Sequence, residues 1–239
     1  MKIKTAAVII IGDEILSGQV YDRNTYFLAS KLQNLGTDLK IIVTIPDDIA
    51  TIAEWVSSFR QKYDFVITSG GIGPTPDDKT REGIAKGVGL NLELNKEAKK
   101  ELDLYYKGKI NEKRLLMAYM PEGAAIIKNP ETGAPAFKIE NIYVFPGVPI
   151  LLEKLFEIVK EEFRSVPIYK ESFITNIGES FFAHLMDEIP LKFKEVSVGS
   201  YPKIEKKPYC AELVLKSRNK EELEKARKWL YMQIKKIEV

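Results

Sequence analysis

The side chains best suited to chemistry lie in one stretch, residues 68–81. Three glycines, Gly70, Gly71 and Gly73, are followed there by two adjacent aspartates, Asp77 and Asp78. Glycines leave backbone N–H groups uncovered and permit positive φ, so such a loop can hold an anion or a cation–phosphate complex. The alternative is an ordinary glycine-rich connection in which one aspartate caps the next helix. Two adjacent carboxylates favour the binding interpretation, since a cap uses only one.

Two further acidic pairs each follow an apolar, strand-like segment. Asp13 and Glu14 come after residues 5–11, and Asp47 and Asp48 come after residues 39–45. The carboxyl ends of parallel strands meet at one edge of a sheet, where α/β proteins bind ligands. We therefore expect all three acidic pairs to converge there, although each pair taken alone also fits a solvated helix cap.

The elements that must position these residues alternate between strand and helix. Apolar runs at 5–11, 39–45 and 65–68 indicate strands, and helical spacing of apolar residues follows Asp22 and Asp48. Three strands and two helices within about seventy residues predict βαβαβ winding and a largely parallel sheet. The glycine loop is then a strand-to-helix turn at the carboxyl end of the third strand.

The rest of the chain predicts a second loop at the same cleft and a second domain. Helices are predicted at 96–106 and 111–119, strands at 125–127 and 142–145, and a loop at 129–137. Pro146 and Gly147 then precede an amphipathic helix and could face the glycine loop, although proline in a first helical turn is ordinary. From residue 166 the pattern is that of a small α+β unit, so we predict domains at 1–165 and 166–239. Its basic run at 203–208 is interpreted as a solvated hairpin tip, with contact to a phosphate as the alternative.

Composition narrows the chemistry to oxygen ligands. The 239 residues are 45% hydrophobic, with 36 Lys and Arg against 34 Asp and Glu, so no global attraction to nucleic acid or membrane is expected. Cys210 and His184 are each the only residue of their type, which excludes an internal disulfide and a cysteine-rich zinc site. With no signal-type segment at the N-terminus and no long apolar run, a cytoplasmic location is expected.

Several short motifs, in this order along the chain, carry a family resemblance. They are Gly12-Asp13-Glu14-Ile15-Leu16-Ser17-Gly18-Gln19, Asp22 with Asn24, Asp47-Asp48, Gly70-Gly71-Ile72-Gly73-Pro74-Thr75 with Asp77-Asp78, Pro121-Glu122-Gly123-Ala124, Asn129-Pro130 with Gly133-Ala134-Pro135, and Phe145-Pro146-Gly147-Val148-Pro149. Together they resemble the N-terminal part of the competence/damage-inducible protein A family, CinA.

The resemblance covers essentially the whole chain and implies its fold. It implies an α/β domain with three layers and a mostly parallel sheet, of the molybdopterin-binding MogA and MoaB type, similar also to the hydrolase domain joined to eukaryotic FAD synthases. Residues 166–239 resemble the small K-homology-like α+β domain that follows in this family. The sequence stops before the amidase domain that many relatives append, so that activity is not transferred.

The resemblance implies three alternative functions. The first is metal-dependent hydrolysis of a nucleotide diphosphate linkage, as in ADP-ribose or FAD. The second is binding or adenylylation of molybdopterin, and the third is nucleotide binding without catalysis. The expected partners are a nucleotide or pterin-phosphate and further copies of the chain in a dimer or trimer. Neither nucleic acid nor a membrane is expected as a partner.

For the hydrolase we hypothesise a pyrophosphate lying across the glycine loop. Divalent Mg²⁺, Mn²⁺ or Co²⁺, with K⁺ as a further candidate, would be held by Asp13, Glu14, Asp77 and Asp78. Asp48 would orient or deprotonate the attacking water. Asp48 and the two metal-binding aspartates of the loop, Asp77 and Asp78, are therefore the candidate catalytic residues. The candidate substrate-binding residues are Gly12, Ser17, Ser69, Gly70, Gly71, Gly73, Thr75, Lys79, Arg81, Gly133, Pro146 and Gly147.

Overall fold

A computed structural model describes residues 2–203 and 210–237 of the chain. Contacts between Cα atoms divide it into two compact units, Met1–Ser165 and Val166–Val239. Most of the hairpin tip predicted at 203–208 lies outside the described residues. None of the described helices is both long and apolar enough to cross a membrane.

The first unit contains eight strands and seven α-helices among its described residues. In chain order they are β1 (Thr5–Ile11), α1 (Asp13–Leu16), α2 (Asn24–Asn34), β2 (Asp38–Ile45), α3 (Ile49–Lys62), β3 (Phe65–Ser69), α4 (Thr80–Val88), β4 (Leu92–Leu94), α5 (Lys96–Tyr105), α6 (Glu112–Leu116), β5 (Tyr119–Pro121), β6 (Ala125–Ile127), β7 (Ala136–Ile139), β8 (Ile142–Phe145) and α7 (Pro149–Val159). A 3₁₀ turn, Lys160–Phe163, follows α7.

Six of these strands form one mixed sheet in the order β2-β1-β3-β8-β7-β6. The first four strands of that order are parallel, whereas β7 and β6 are antiparallel to their neighbours. Alternate residues of β1 enter different cores: Ala7 and Ile9 pack with α3, α4 and α5, while Ala6 and Val8 pack with α2 and α7. Helices therefore cover both faces of the sheet, and the predicted three-layer, mostly parallel fold is confirmed.

Two glycines in α4 bring this helix unusually close to α3. A Cβ at Gly83 would lie 2.5 Å from Ile52 Cγ2, and a Cβ at Gly87 would lie 2.9 Å from the carbonyl oxygen of Ala53. Larger residues at these positions would push the helices apart. The close contact matters for the site because the amino end of α4 directly follows the glycine loop.

The structure differs from the sequence prediction between residues 92 and 139. The helix predicted at 111–119 ends at Leu116, and Tyr119–Pro121 instead forms β5, which pairs with the unpredicted strand β4. Ala136 and Phe137, placed in a loop, begin β7. These strands are three or four residues long, too short for a recognisable alternation of apolar and polar residues.

The second unit is a three-stranded antiparallel sheet with two helices. Its elements are β9 (Tyr169–Thr175), α8 (Glu179–Lys192), β10 (Ser197–Pro202), β11 (Ala211–Ser217) and α9 (Lys220–Ile237), with the strand order β10-β11-β9. Phe182, Leu213 and Leu230 are fully buried in the core shared by α8, β11 and α9. The prediction of a small α+β unit after the larger one is confirmed.

Candidate functional site

The carboxyl ends of β1, β3 and β8 meet at Gly70. Its φ is +112°, and a Cβ there would overlap the carbonyl oxygen of Ile11 at the end of β1. A Cβ at Gly147, after β8, would lie 3.4 Å from the Cα of Gly70. Only glycine satisfies both the positive φ and the close contact at position 70. The turns that follow these three strands therefore lie together at one edge of the sheet, where their backbones are in direct contact.

Asp78 occupies the inside of the glycine loop. Its Oδ1 accepts a hydrogen bond from the N–H of Gly73 at 2.6 Å, and its Oδ2 accepts from the N–H of Thr75 at 2.8 Å and from the Thr75 hydroxyl. Two of the N–H groups predicted to bind phosphate are thus engaged by the protein's own carboxylate. Within the described chain, the N–H groups of Gly71 and Ile72 form no hydrogen bond.

Thr80 fastens the loop to the start of α4. Its hydroxyl donates to the carbonyl oxygen of Gly70 at 2.8 Å, and its N–H donates to that of Gly71 at 3.0 Å. Gly71 has φ +64°, and a Cβ there would overlap the Thr80 hydroxyl and lie 2.9 Å from Asp47 Oδ1. The first half of the loop is therefore held in one conformation by contacts that exclude a side chain at position 71.

Arg81 is 4% exposed and holds the loop from behind. Its guanidinium donates to the carbonyl oxygens of Ile72 and Gly73, the latter at 2.8 Å. Burial lowers the pKa of Arg81 from its ordinary value, while the nearby charges of Glu82 and Asp78 raise it. Arg81 was predicted to bind substrate. In the structure it bonds the loop carbonyls, so it orients the loop.

Asp47 joins two of the predicted acidic pairs. Its Oδ2 accepts a hydrogen bond from the N–H of Asp13 at 3.0 Å. Burial raises the pKa of Asp47; the hydrogen bond from Asp13 opposes this, and the charges of Glu14, Asp13 and Asp78 add to it. The negative charges of these three neighbours therefore act on Asp47, and a cation bound beside it would relieve that repulsion.

Asp48 and Asp77 make different contacts from their neighbours. Asp48 caps α3, with Oδ1 accepting from the N–H and hydroxyl of Thr51, each at 2.8 Å, and these hydrogen bonds lower its pKa. Asp77 is exposed, and its interaction with the neighbouring Thr75 side chain lowers its pKa. The catalytic roles assigned to Asp48 and Asp77 stay predictions. The capping interpretation considered for Asp48 describes its observed contacts.

Asn24 links two walls of the site and was not among the residues given a role from the sequence. Its Nδ2 donates to the Ser69 hydroxyl at 2.9 Å and to the carbonyl oxygen of Gly147 at 2.7 Å. Ser69, predicted to bind phosphate, is 1% exposed and lies within 3.4 Å of the carbonyl oxygen of Pro146. The sequence signal for this contact was the presence of Asn24, with Asp22, among the motifs that carry the family resemblance.

A pocket of about 610 Å³ opens at this edge of the sheet. One wall consists of residues 70–74 with Glu14 and Asp78, and another of residues 146–149 at the amino end of α7. The remaining wall contains Tyr106, Arg114 and Met117 with residues from the segment 129–135. The pocket is mainly apolar, with its carboxylates and uncovered N–H groups grouped around the glycine loop.

The pocket includes some of the predicted residues and not others. Glu14, Gly70, Gly71, Gly73, Asp78, Pro146 and Gly147 line it. Thr75, Lys79 and Arg81 line a smaller pocket of about 300 Å³ behind the loop, together with Asp78. Gly12, Asp13, Ser17, Asp48, Ser69, Asp77 and Gly133 line neither pocket. Gly133 instead packs against Tyr105, which places the segment 129–135 on α5.

The acidic residues fit a cation that is shared with a phosphate. Among the described residues, no three Asp, Glu, His or Cys side chains are arranged to hold a metal by themselves. Mg²⁺, however, commonly binds through one or two carboxylates and completes its coordination with waters and substrate phosphates. The observation that fits this mode is the raised pKa of Asp47, to which the charges of Glu14, Asp13 and Asp78 contribute, together with the position of its Oδ1 beside Gly71.

Comparison with known proteins identifies both units. Residues 7–165 match the family "Probable molybdopterin binding domain", and residues 167–239 match "FAD synthase, middle domain". A protein of Archaeoglobus fulgidus is 36% identical over 92% of this chain and 93% of its own length. A probable FAD synthase of Caenorhabditis elegans is 30% identical over 92% of this chain, which spans only 48% of that longer relative.

A solved structure gives a consistent result. The CinA protein of Thermoplasma acidophilum, a protein of unknown function, is 31% identical, covers 67% of this chain and 99% of its own, and superposes with a TM-score of 0.64. The family predicted from the motifs is confirmed: this chain belongs to the CinA-like proteins with a probable molybdopterin binding domain.

Proposed function

We propose that this chain hydrolyses the diphosphate linkage of a nucleotide such as ADP-ribose or FAD. The observation that carries the proposal is the pairing, at one pocket, of the free N–H groups of Gly71 and Ile72 with the carboxylates of Glu14 and Asp78. The carboxylate of Asp47 lies next to this pocket, with its Oδ1 2.9 Å from the position that a Cβ would take on Gly71. N–H groups bind phosphate oxygens, whereas carboxylates bind the cation that accompanies them. A diphosphate has both the phosphate oxygens that the N–H groups bind and the accompanying cation that the carboxylates bind.

Two backbone features would hold the diphosphate. The N–H groups of Gly71 and Ile72 are kept in place by Thr80 and Arg81 from behind the loop. The amino end of α7 forms the neighbouring wall, and the positive end of its helix dipole favours a second phosphate there. These groups bind oxygen atoms that gain charge when the P–O bond to the bridging oxygen breaks.

Asp47 is the residue we assign to the attacking water. Its raised pKa and its position beside Gly71 suit a carboxylate that accepts a proton as water attacks phosphorus. Asp13 and Glu14 would hold Mg²⁺, Mn²⁺ or Co²⁺, with waters and substrate phosphates completing the coordination. When bound, this ion neutralises phosphate charge and makes a coordinated water more acidic. One water is consumed, and two monophosphates leave, AMP and ribose 5-phosphate from ADP-ribose or AMP and FMN from FAD.

The relatives support a nucleotide of the FAD type. The middle-domain match covers residues 167–239, and the probable FAD synthases of Caenorhabditis elegans and Caenorhabditis briggsae align over 92% and 94% of this chain. FAD contains a diphosphate bridge, as ADP-ribose does. A second candidate function is the binding of a pterin phosphate, and the family match over residues 7–165 favours it.

The test is product analysis with purified protein, ADP-ribose or FAD, and Mg²⁺, Mn²⁺ or Co²⁺. We expect two monophosphates by mass spectrometry, and we expect Asp47→Asn to lower the rate by about 100-fold or more. Asp48→Asn is the matched control, because asparagine is also a good N-cap and should leave the rate near that of the unaltered protein. Turnover lost in Asp48→Asn and kept in Asp47→Asn would return the catalytic role to Asp48. No turnover with any metal, together with tight binding of a pterin phosphate, would favour the second candidate.

A further inference from the structure

Arg114 and Tyr106 pack against each other in the pocket wall that is distant in sequence from the glycine loop. The guanidinium carbon of Arg114 lies 4.0 Å from the centroid of the Tyr106 ring, the distance of a stacked cation–π pair. Its Nη1 donates to the carbonyl oxygen of Lys109 at 3.0 Å, which fixes the side chain over the ring. Both residues are partly exposed and both line the pocket.

The surroundings of this pair are apolar. Met117, Ala134 and Ile72 line the same pocket, and Tyr106, Ala134 and Ile72 pack against the core on the side of the sheet covered by α3, α4 and α5. Among the described residues that line the pocket, Arg114 alone carries a positive side chain. Its Nε and Nη2 form no hydrogen bond with the described residues.

A guanidinium that packs over one aromatic ring and is partly exposed at a pocket can offer its opposite face to a ligand. Planar heterocycles stack on such faces, and an apolar surrounding suits the ring of a nucleotide better than its phosphates. Because the uncovered N–H groups and carboxylates are grouped around the glycine loop, the phosphate end of a ligand is already accounted for. The wall that contains Arg114 and Tyr106 is therefore suited to the heterocyclic end of the ligand.

We propose that Arg114, supported by Tyr106, is the stacking surface for the planar heterocycle of the ligand, a purine, flavin or pterin ring. The proposal rests on the proposed function in placing the phosphate at Gly71 and Ile72. Arg114 contributes through its flat shape, so a lysine should not replace it although lysine keeps the positive charge.

The test uses two ligands that differ in the ring. AMP and ribose 5-phosphate both carry a ribose and one phosphate, and only AMP has the purine. Calorimetric titration with Mg²⁺ present should show tighter binding of AMP by the unaltered protein. Arg114→Ala should weaken AMP by about tenfold, equivalent to about 1.4 kcal/mol, and leave ribose 5-phosphate unchanged. Arg114→Lys should resemble Arg114→Ala, and Lys113→Ala, an exposed neighbour on α6, should resemble the unaltered protein.

Different results overturn the proposal. Recovery of AMP binding in Arg114→Lys, or an equal loss for both ligands in Arg114→Ala, would make Arg114 an anion-binding charge. Equal affinity of the unaltered protein for the two ligands would remove the stacking surface altogether. If Arg114→Ala does not fold, Tyr106→Leu removes the supporting ring, and it should weaken AMP selectively; an unchanged preference for AMP in that variant counts against the proposal.

The outcome is separable from that of the hydrolase test. Selective loss of AMP binding in Arg114→Ala, in a protein that cleaves neither ADP-ribose nor FAD, would support the stacking surface and refute the hydrolase. Cleavage by a protein whose AMP preference does not depend on Arg114 would support the hydrolase and refute the stacking surface.

Discussion

Replacing Gly71 by alanine tests whether the glycine loop is held as rigidly as its contacts indicate. The φ of +64° alone should cost about 1 kcal/mol for any residue with a Cβ. The new Cβ would also displace the Thr80 hydroxyl and leave the carbonyl oxygen of Gly70 without its hydrogen bond, for about 1–3 kcal/mol more. Gly71→Ala should therefore lower the free energy of unfolding by about 2–4 kcal/mol.

Gly89→Ala is the matched control, because Gly89 has φ +77° but nothing within 4 Å of an added Cβ. It should cost only the conformational part, about 1 kcal/mol. Urea unfolding would be followed by the fluorescence of Trp55 in a Trp229→Phe background, so that the signal reports the first unit. AMP titration of both variants should show weaker binding in Gly71→Ala alone. If the two variants lose equal stability and bind AMP equally, Thr80 yields without cost and the reasoning about the loop is refuted.

Three further predictions concern charged residues around the loop. Asp47→Asn should raise the urea midpoint at pH 7. Because the folded pKa of Asp47 is raised, its ionisation costs stability above pH 3.8, and the gain should disappear when the pH falls below that value. Asp48→Ala should lower the melting temperature by removing the acceptor for the Thr51 N–H, and Asp48→Asn should not; equal melting temperatures would contradict the capping role. Arg81→Met should make trypsin cleave after Lys79 faster, because the carbonyl oxygens of Ile72 and Gly73 lose their donor, and an unchanged cleavage rate would show that the guanidinium does not hold the loop.

The sequence predicted the parallel half of the first unit because its signals are long and strong. The six consecutive apolar residues from Ala6 to Ile11 and the Asp48 cap with helical spacing of Ile52 and Val56 behind it are reproduced in β1 and α3. The strands β4, β5 and β7 could not be predicted, since each has only three or four residues and its pairing partner is set by tertiary packing. Residues 111–119 read as one helix because Leu115, Leu116 and Tyr119 have helical spacing.

The location of the site could be predicted from the sequence, but most of the contacts made by its side chains could not. Strand ends and glycines located the convergence at Gly70, which needs only sheet topology. Side-chain direction needs the folded backbone, so the sequence could not tell that Asp47 faces Glu14 while Asp48 turns to its helix. It also could not show that Arg81 is buried, because a residue at the first turn of a helix after a polar loop is normally exposed.

The carboxylate of Asp78 inside the glycine loop has a kinetic consequence. Since it already satisfies the N–H groups of Gly73 and Thr75, the loop keeps its shape before any ligand arrives. Such preorganisation removes most of the entropy that a ligand would otherwise lose in ordering the loop. Association should then be limited by encounter, with no slow folding step. Ligands that differ in affinity for this site should accordingly differ mainly in how slowly they dissociate.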